Sequence, residues 1–267
     1  MTVAGSDDEV ADDLRDELTT ALREFAARET ILVALDFDGV MSELVDRAEN
    51  ARPVPANAEA LEALSEVPGV HTALVSGRAM NSLLAVATPP ESTLLIGSHG
   101  AERRLGPQAP PLELDAEQAR ALDAVGTILE PIAAKYPDSW VEHKPAGRVL
   151  QVRLAQTAEA KRQAVAEAEA ALQDVAGIHV GHGKDVLEVS VVRADKGQGL
   201  DLLRQSTHAD AVLFAGDDVT DERGFERLDP DTDVSLKVGP GPTAARFRIA
   251  GPAQLAAVLQ AVARWRR

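Results

Sequence analysis

The stretch ILVALDFDGV, residues 31–40, sets five apolar residues ahead of two aspartates and a glycine. Ile31 to Leu35 shows no polar alternation. That is the pattern of a strand buried on both faces, as in a parallel sheet. Asp36 and Asp38 then stand where the strand ends. On a continuing strand, positions i and i+2 share one face while the residue between them faces the other way; at a strand end the chain is free to turn. Gly39 permits that bend and a close backbone approach, so both carboxylates can be brought to one site. A carboxylate pair suits a nucleophile with a general acid–base. Taken alone, it also fits an ordinary strand end with a solvated loop.

The same grammar recurs along the chain. Residues 57–67 carry a helical pattern with Leu61 and Leu64 inward. VHTALVSGR is a strand ending in a turn, Met80 to Ala87 is helical, and TLLIGSHG is a strand ending in glycine. Toward the other end, AVLFAGDDVTDE again runs from apolar strand to glycine to acids. Alternating strands and helices of this kind specify an α/β fold with a parallel sheet covered on both faces. In such sheets ligands bind at the carboxyl ends of the strands. DFDG, SGR, GSHG and GDD all follow apolar runs directly, so they are expected on one rim. Ahead of all this, Ser6 to Ala27 reads as a helix. It opens on the capping-box pattern SDDE and carries the stripe Val10, Leu14, Leu18, Leu22 and Phe25.

Between about Leu105 and Ser190 the texture changes. GPQAPP is a crossing point, Asp115 to Ala134 is helix-like, and WVEHKPAGRVLQVRL reads as a hairpin around PAGR. Thr157 caps a helix with the stripe Val165, Ala168, Leu172 and Val175, and DVLEVSVV is an alternating strand. This is an α+β module inserted into the α/β core. The expected division is residues 1–106 and 191–267 for the core, with residues 1–28 as its leading helical segment, and 107–190 for the insert.

The 267 residues carry a net charge of −16, with 45% apolar residues, 3% aromatics and no cysteine. Leu, Val, Ile and Ala must therefore fill the core, and thiolate chemistry is excluded. A chain this acidic repels a phosphate backbone, so nucleic acid is not an expected partner. The opening MTVAGSDDEVADDL is acidic where a secretory leader needs bases and an apolar run. No stretch reaches the ~18 apolar residues of a membrane span. A cytoplasmic protein without a membrane partner is expected.

GDDVTDE adds Asp217, Asp218 and Asp221 to the rim. Clustered carboxylates repel one another unless a cation neutralises them, and hard oxygen ligands favour magnesium over zinc. The plain alternative is an acidic turn that caps the next helix through Asp218 or Thr220. A phosphoryl group would need donors and positive charge as well. Ser76 in the Ser76–Gly77–Arg78 turn and Lys196 in ADKGQGL offer both, although each alone is a common turn or surface residue.

These four elements, in this order, resemble the motifs of the haloacid dehalogenase superfamily of phosphohydrolases, with a Rossmann-like core and an inserted cap. GSHG, VEHKP, GKDVLEV with DKG after it, GDDVTDE and the tail VGPGPTAARFRI are further similar to its trehalose-6-phosphate phosphatase family. The resemblance implies a sugar phosphate as substrate and Mg2+ as cofactor. It implies Asp36 as nucleophile, Asp38 as acid–base, and Ser76 and Lys196 as holders of the phosphoryl group. Magnesium would be held by Asp36, the Asp38 carbonyl and Asp217, with Asp218 and Asp221 on its waters or tuning its ligands. Gly77 and Arg78 would meet substrate on the core. Glu142, Lys144, Arg153 and Glu188 would meet the sugar on the cap. A synthase that makes the substrate is the implied protein partner. The chain departs from the family in having Gln151–Val152–Arg153 where His-Tyr-Arg is common.

Other readings share some of these residues. A different capped sugar phosphatase, for sucrose phosphate or mannosyl-phosphoglycerate, would keep the core motifs. A phosphoacceptor signalling module would not need Asp38 or an insert of this size. A catalytically dead regulatory subunit would be expected to lack one of Asp36, Asp38, Lys196 or Asp217, and all four are present.

Overall fold

The computed structural model describes residues 16–106, 113–183 and 185–266. In chain order the elements are α1 (Asp16–Ala26), β1 (Ile31–Leu35), α2 (Pro55–Ser65), β2 (Val70–Val75), α3 (Met80–Ala87), β3 (Leu94–Gly97) and β4 (Glu102–Arg104). Then come α4 (Ala116–Lys135), β5 (Trp140–Lys144), β6 (Gly147–Gln151), α5 (Ala158–Leu172), β7 (His179–Gly183) and β8 (Val186–Ser190). The chain closes with α6 (Lys196–Thr207), β9 (Ala211–Gly216), α7 (Glu222–Phe225), β10 (Val234–Val238), β11 (Phe247–Ile249) and α8 (Leu255–Trp265). Two compact units result. One comprises Met1–Pro110 with Ala194–Arg267, and the other Pro111–Arg193.

The first unit is a three-layer α/β core. Its sheet runs β11-β10-β9-β1-β2-β3-β4. Every pairing is parallel except β3 with β4. β1 is fully buried, as its unbroken apolar sequence requires, because helices cover both faces. Ile31, Val33 and Leu35 pack with Leu22, Phe25, Leu61, Leu259 and Val262 on one side. Leu32 and Ala34 pack with Leu200, Leu203 and Phe225 on the other. β1 is flanked by β2 on one side and β9 on the other. The chain thus moves outward from β1 in both directions, which makes the carboxyl ends of β1 and β9 a topological switch point, where such sheets open a crevice.

The apolar stripe of the leading helix is seen in Leu18, Leu22 and Phe25, all buried. The SDDE motif, Val10 and Leu14 lie outside the described residues.

The second unit is an antiparallel sheet, β5-β6-β8-β7, with α4 and α5 packed on one face. Asp115 caps α4 through a full capping box with Gln118, and the Thr157 hydroxyl accepts the Ala160 N–H at the start of α5. Leu150, Leu187 and Val189 point into the helices, so the alternate residues of β5, β6 and β8 lie on the other face. Among the described residues no helix is long and apolar enough to cross a membrane.

Candidate active site

The rim of the core is built at the ends of β1, β2 and β9. Asp36 continues β1 by one residue, its N–H donating to the Ala215 carbonyl (2.9 Å). Its Oδ1 accepts the Phe37 N–H (2.6 Å) and its Oδ2 the Lys196 Nζ (2.7 Å). The same ammonium reaches Asp221 Oδ1 at 2.6 Å. Lys196 stands at the first residue of α6, which the Asp195 side chain caps. Exposures of 5% for Asp36, 2% for Lys196 and 0% for Asp221 mark a dry ion cluster rather than a surface pair. Side-chain oxygens of Asp36, Asp217 and Asp221 lie within 4.8 Å of one another.

The acidic turn owes its shape to Asp221. Its Oδ2 accepts the N–H groups of both Asp217 and Asp218 (2.9 Å each), which folds the turn back over the end of β9. Asp218 is not brought to the cluster. It is exposed, and its Oδ1 accepts the adjacent Val219 N–H (2.6 Å). The third carboxylate of the group is therefore Asp221, whereas Asp218 and Asp221 were expected alike around the metal. Lys237, buried at the end of β10, donates to the Asp217 carbonyl oxygen. Its sequence signal was a lysine between Leu236 and Val238 in the strand VSLKV, where a buried ammonium needs a partner.

Gly39 matters here for space as well as for its φ of +76°. A Cβ on it would sit 2.2 Å from Asp217 Oδ2. Gly39→Ala is expected to displace the Asp217 carboxylate and strain the turn, at about 1–3 kcal/mol. Thermal melting and calorimetric magnesium titration would check this, and unchanged values in both would refute it.

Burial raises the Asp36 carboxyl well above the usual carboxylate range, and Asp221 and Asp217 add to that against the opposing pull of Lys196. Burial and then Asp221 push Asp217 up to about 6. Burial works against the charge on Lys196, yet Asp36 and Asp221 hold its pKa above the ordinary lysine value. The pattern is one of too much negative charge in a dry place. The donors are oxygens only, without histidine or cysteine, which fits a hard divalent cation.

A pH dependence follows. Asp217 is raised above its ordinary 3.8, so the metal-free fold loses stability as pH rises from that value through about 6. A divalent cation relieves that loss and competes with the proton for the same oxygens. Any rise in melting temperature on adding a divalent cation is expected to be full well above pH 6 and to shrink as pH falls through it. A shift that stays constant across that range would contradict the assignment.

Asp38 has separate company. Arg78 donates from Nε to its Oδ2 (2.7 Å) and from Nη2 to its Oδ1 (2.6 Å). Ser76 is buried at the end of β2, and its Oγ accepts the Arg78 N–H (3.2 Å). Gly77 is packed against the His99 ring so closely that a Cβ would lie 2.3 Å from its Cε1. Ser98 and His99 adopt φ of 48° and 55°, and the Ser98 and His99 N–H groups donate to the carbonyls of Arg78 and Ser76. A Cβ on Gly100 would in turn meet the Asp195 carbonyl at 2.6 Å. The GSHG turn thus braces the serine turn on one side and the lysine loop on the other.

On the cap sheet, Glu142, Lys144, Gln151 and Glu188 share the face away from the helices. Gln151 Nε2 donates to Glu142 Oε2 (2.9 Å), and Lys144 Nζ pairs with Glu188 Oε1 (3.4 Å). Arg153 lies beyond β6, exposed, with its guanidinium over the Trp140 ring. His143 and His182 pair with Glu130 and Glu169.

A family model described as trehalose-phosphatase matches residues 34–252. The trehalose-6-phosphate phosphatase of Escherichia coli is 30% identical over 220 residues, covering 81% of this chain and 80% of its own. The bifunctional trehalose-6-phosphate synthase/phosphatase of Thermoproteus tenax is 32% identical over 235 residues, which cover 85% of this chain but 31% of the longer relative. The fold is that of the C-terminal domain of trehalose-6-phosphate phosphatase from C. albicans, with a TM-score of 0.76, 20% identity and coverage of 92% and 96%. Shared sequence across most of its length, on a shared fold, places this chain in the trehalose-phosphatase family and so among the phosphoric monoester hydrolases.

Proposed function

We propose that the protein is a magnesium-dependent phosphatase that hydrolyses trehalose 6-phosphate through an aspartyl-phosphate. The observation that carries the chemistry is the buried group of Asp36, Asp217 and Asp221 around Lys196. The substrate comes from the family and from the names of the relatives.

Asp36 is the nucleophile. Phe37 N–H and Lys196 Nζ hold its two oxygens, so the plane of the carboxylate is set before substrate arrives. Asp38 gives a proton to the leaving sugar oxygen and then takes one from the attacking water. Ser76 and Lys196 hold the phosphoryl oxygens, and Lys196 stabilises the charge that spreads over them. Asp36, the Asp38 carbonyl and Asp217 would hold the magnesium, and Asp221 orients Asp217 through the shared turn. Bound there, magnesium supplies charge neutralisation for the transferring phosphoryl group. Glu142, Lys144 and Glu188 recognise sugar hydroxyls, and Arg153 adds a weaker contact. Association with a trehalose-6-phosphate synthase is supported by the T. tenax relative, whose name joins both activities.

The test is phosphate release from trehalose 6-phosphate, glucose 6-phosphate, sucrose 6-phosphate and an aryl phosphate, each with magnesium and with chelator. Magnesium-dependent preference for trehalose 6-phosphate is expected. Preference for another ester would remove the substrate assignment and keep the core chemistry. Release that persists in chelator would remove the metal.

A further inference from the structure

Arg78 is the side chain that a substrate-binding role describes least well. Its side chain is only 9% exposed. A guanidinium has five N–H donors. Four of them are committed, two to Asp38, one to the Ala48 carbonyl (2.9 Å) and one to Ser82 Oγ (3.4 Å). The guanidinium also lies over the Phe37 ring, 5.3 Å from its centroid. Its backbone is fixed as well, by the Ser76 hydroxyl and the Ser98 N–H. An arginine tied down at this many points has little left to offer an incoming phosphate.

We propose that Arg78 is a positioning residue for proton transfer, gripping the Asp38 carboxyl by one edge and aiming it at the reacting oxygen. This rests on the reading of Asp38 as acid–base. The fork takes one lone pair on each Asp38 oxygen, and a carboxylate has about four such sites, so each oxygen keeps one for a proton. Asp38 stands just before the left-handed turn at Gly39 with its side chain one-third exposed, so without the fork its carboxyl is free to rotate among rotamers that face solvent. A lysine cannot replace the fork, because an ammonium is a point charge and cannot fix the carboxyl plane.

The test is a double-mutant cycle in the full chain, with Arg78→Ala, Asp38→Asn and the pair, on trehalose 6-phosphate and on 4-nitrophenyl phosphate. The aryl ester leaves without needing a proton. Arg78→Ala is expected to lower kcat on the sugar phosphate by roughly 10²-fold, with KM nearly unchanged and a smaller loss on the aryl ester. Combined with Asp38→Asn, it should add almost nothing further. Arg78→Lys should resemble Arg78→Ala, and it carries the test if the alanine variant does not fold. A raised KM with kcat retained would make Arg78 a substrate contact and overturn the proposal, as would losses that add in full. Full activity of Asp38→Asn on both esters would instead sink the acid–base reading itself. If trehalose 6-phosphate is not turned over, the preferred ester of the panel takes its place in the cycle.

Discussion

Asp36→Asn is expected to abolish phosphate release, by at least about 10³-fold in kcat, while the protein stays folded. The substitution preserves size, and the amide oxygen can still accept the Phe37 N–H that Asp36 Oδ1 accepts now. Its NH2 group, however, would face the Lys196 ammonium 2.7 Å away, donor against donor. On the proposed mechanism such a variant loses the attacking oxygen and one ligand charge together. Asp38, Asp221 and Asp218 are each engaged otherwise. Asp38 is held by Arg78, Asp221 by Lys196 and two backbone amides, and Asp218 is exposed with its Oδ1 on the Val219 N–H. A stopped-flow or steady-state phosphate assay on all four esters, with circular dichroism to confirm folding, is the check. Residual turnover within ten-fold of the unaltered chain would mean that Asp36 is a ligand alone and that water attacks phosphorus directly.

How much of this was legible in the sequence depended on which physical signal each element carried. β1 and α3 were readable to the residue, because an unbroken apolar run and a helical stripe are strong local patterns. The strand ends were readable too, and with them the positions of Asp36, Ser76 and Asp217, while Lys196 was readable at the start of a helix. β7 was not. Its sequence HVGHG has no apolar alternation and is exposed throughout, and it is a strand only because β8 pairs with it. β4 is three residues of charge paired on the sheet edge.

Inside the site, the difference between Asp218 and Asp221 was not legible. Both follow the same strand, and only the turn's backbone bonds decide which carboxylate goes inward. The partner of Arg78 was hidden for a similar reason. The family resemblance implied a substrate contact for Arg78, whereas tertiary placement gives it Asp38, forty residues earlier. Long-range ion pairs leave no periodic trace. What can be read is the imbalance that demands them, such as too many acids on one rim or a lysine within VSLKV.

Lys196→Met tests that imbalance most directly. The ammonium sits between Asp36 and Asp221 at 2.7 and 2.6 Å, with all three side chains almost wholly buried. Removing one partner from a buried pair leaves a charge that neither water nor protein compensates, a cost of about 3–5 kcal/mol. Here it leaves three clustered carboxylates, so the metal-free variant is expected to melt well below the unaltered protein. Asp36 and Asp217, already raised by burial and by Asp221, should then take up protons more readily still, and the deficit should narrow in acid. Magnesium should recover part of the lost stability, since it supplies positive charge to the same oxygens. Activity should not recover, because a methionine gives the phosphoryl oxygens no donor; a loss of at least about 10²-fold in kcat is expected at saturating magnesium. Melting curves with and without magnesium, alongside phosphate release, separate the two roles. A variant that is destabilised but turns over normally once magnesium is bound would assign Lys196 to the fold alone. One that melts normally would mean that the three carboxylates share a proton readily enough to need no cation.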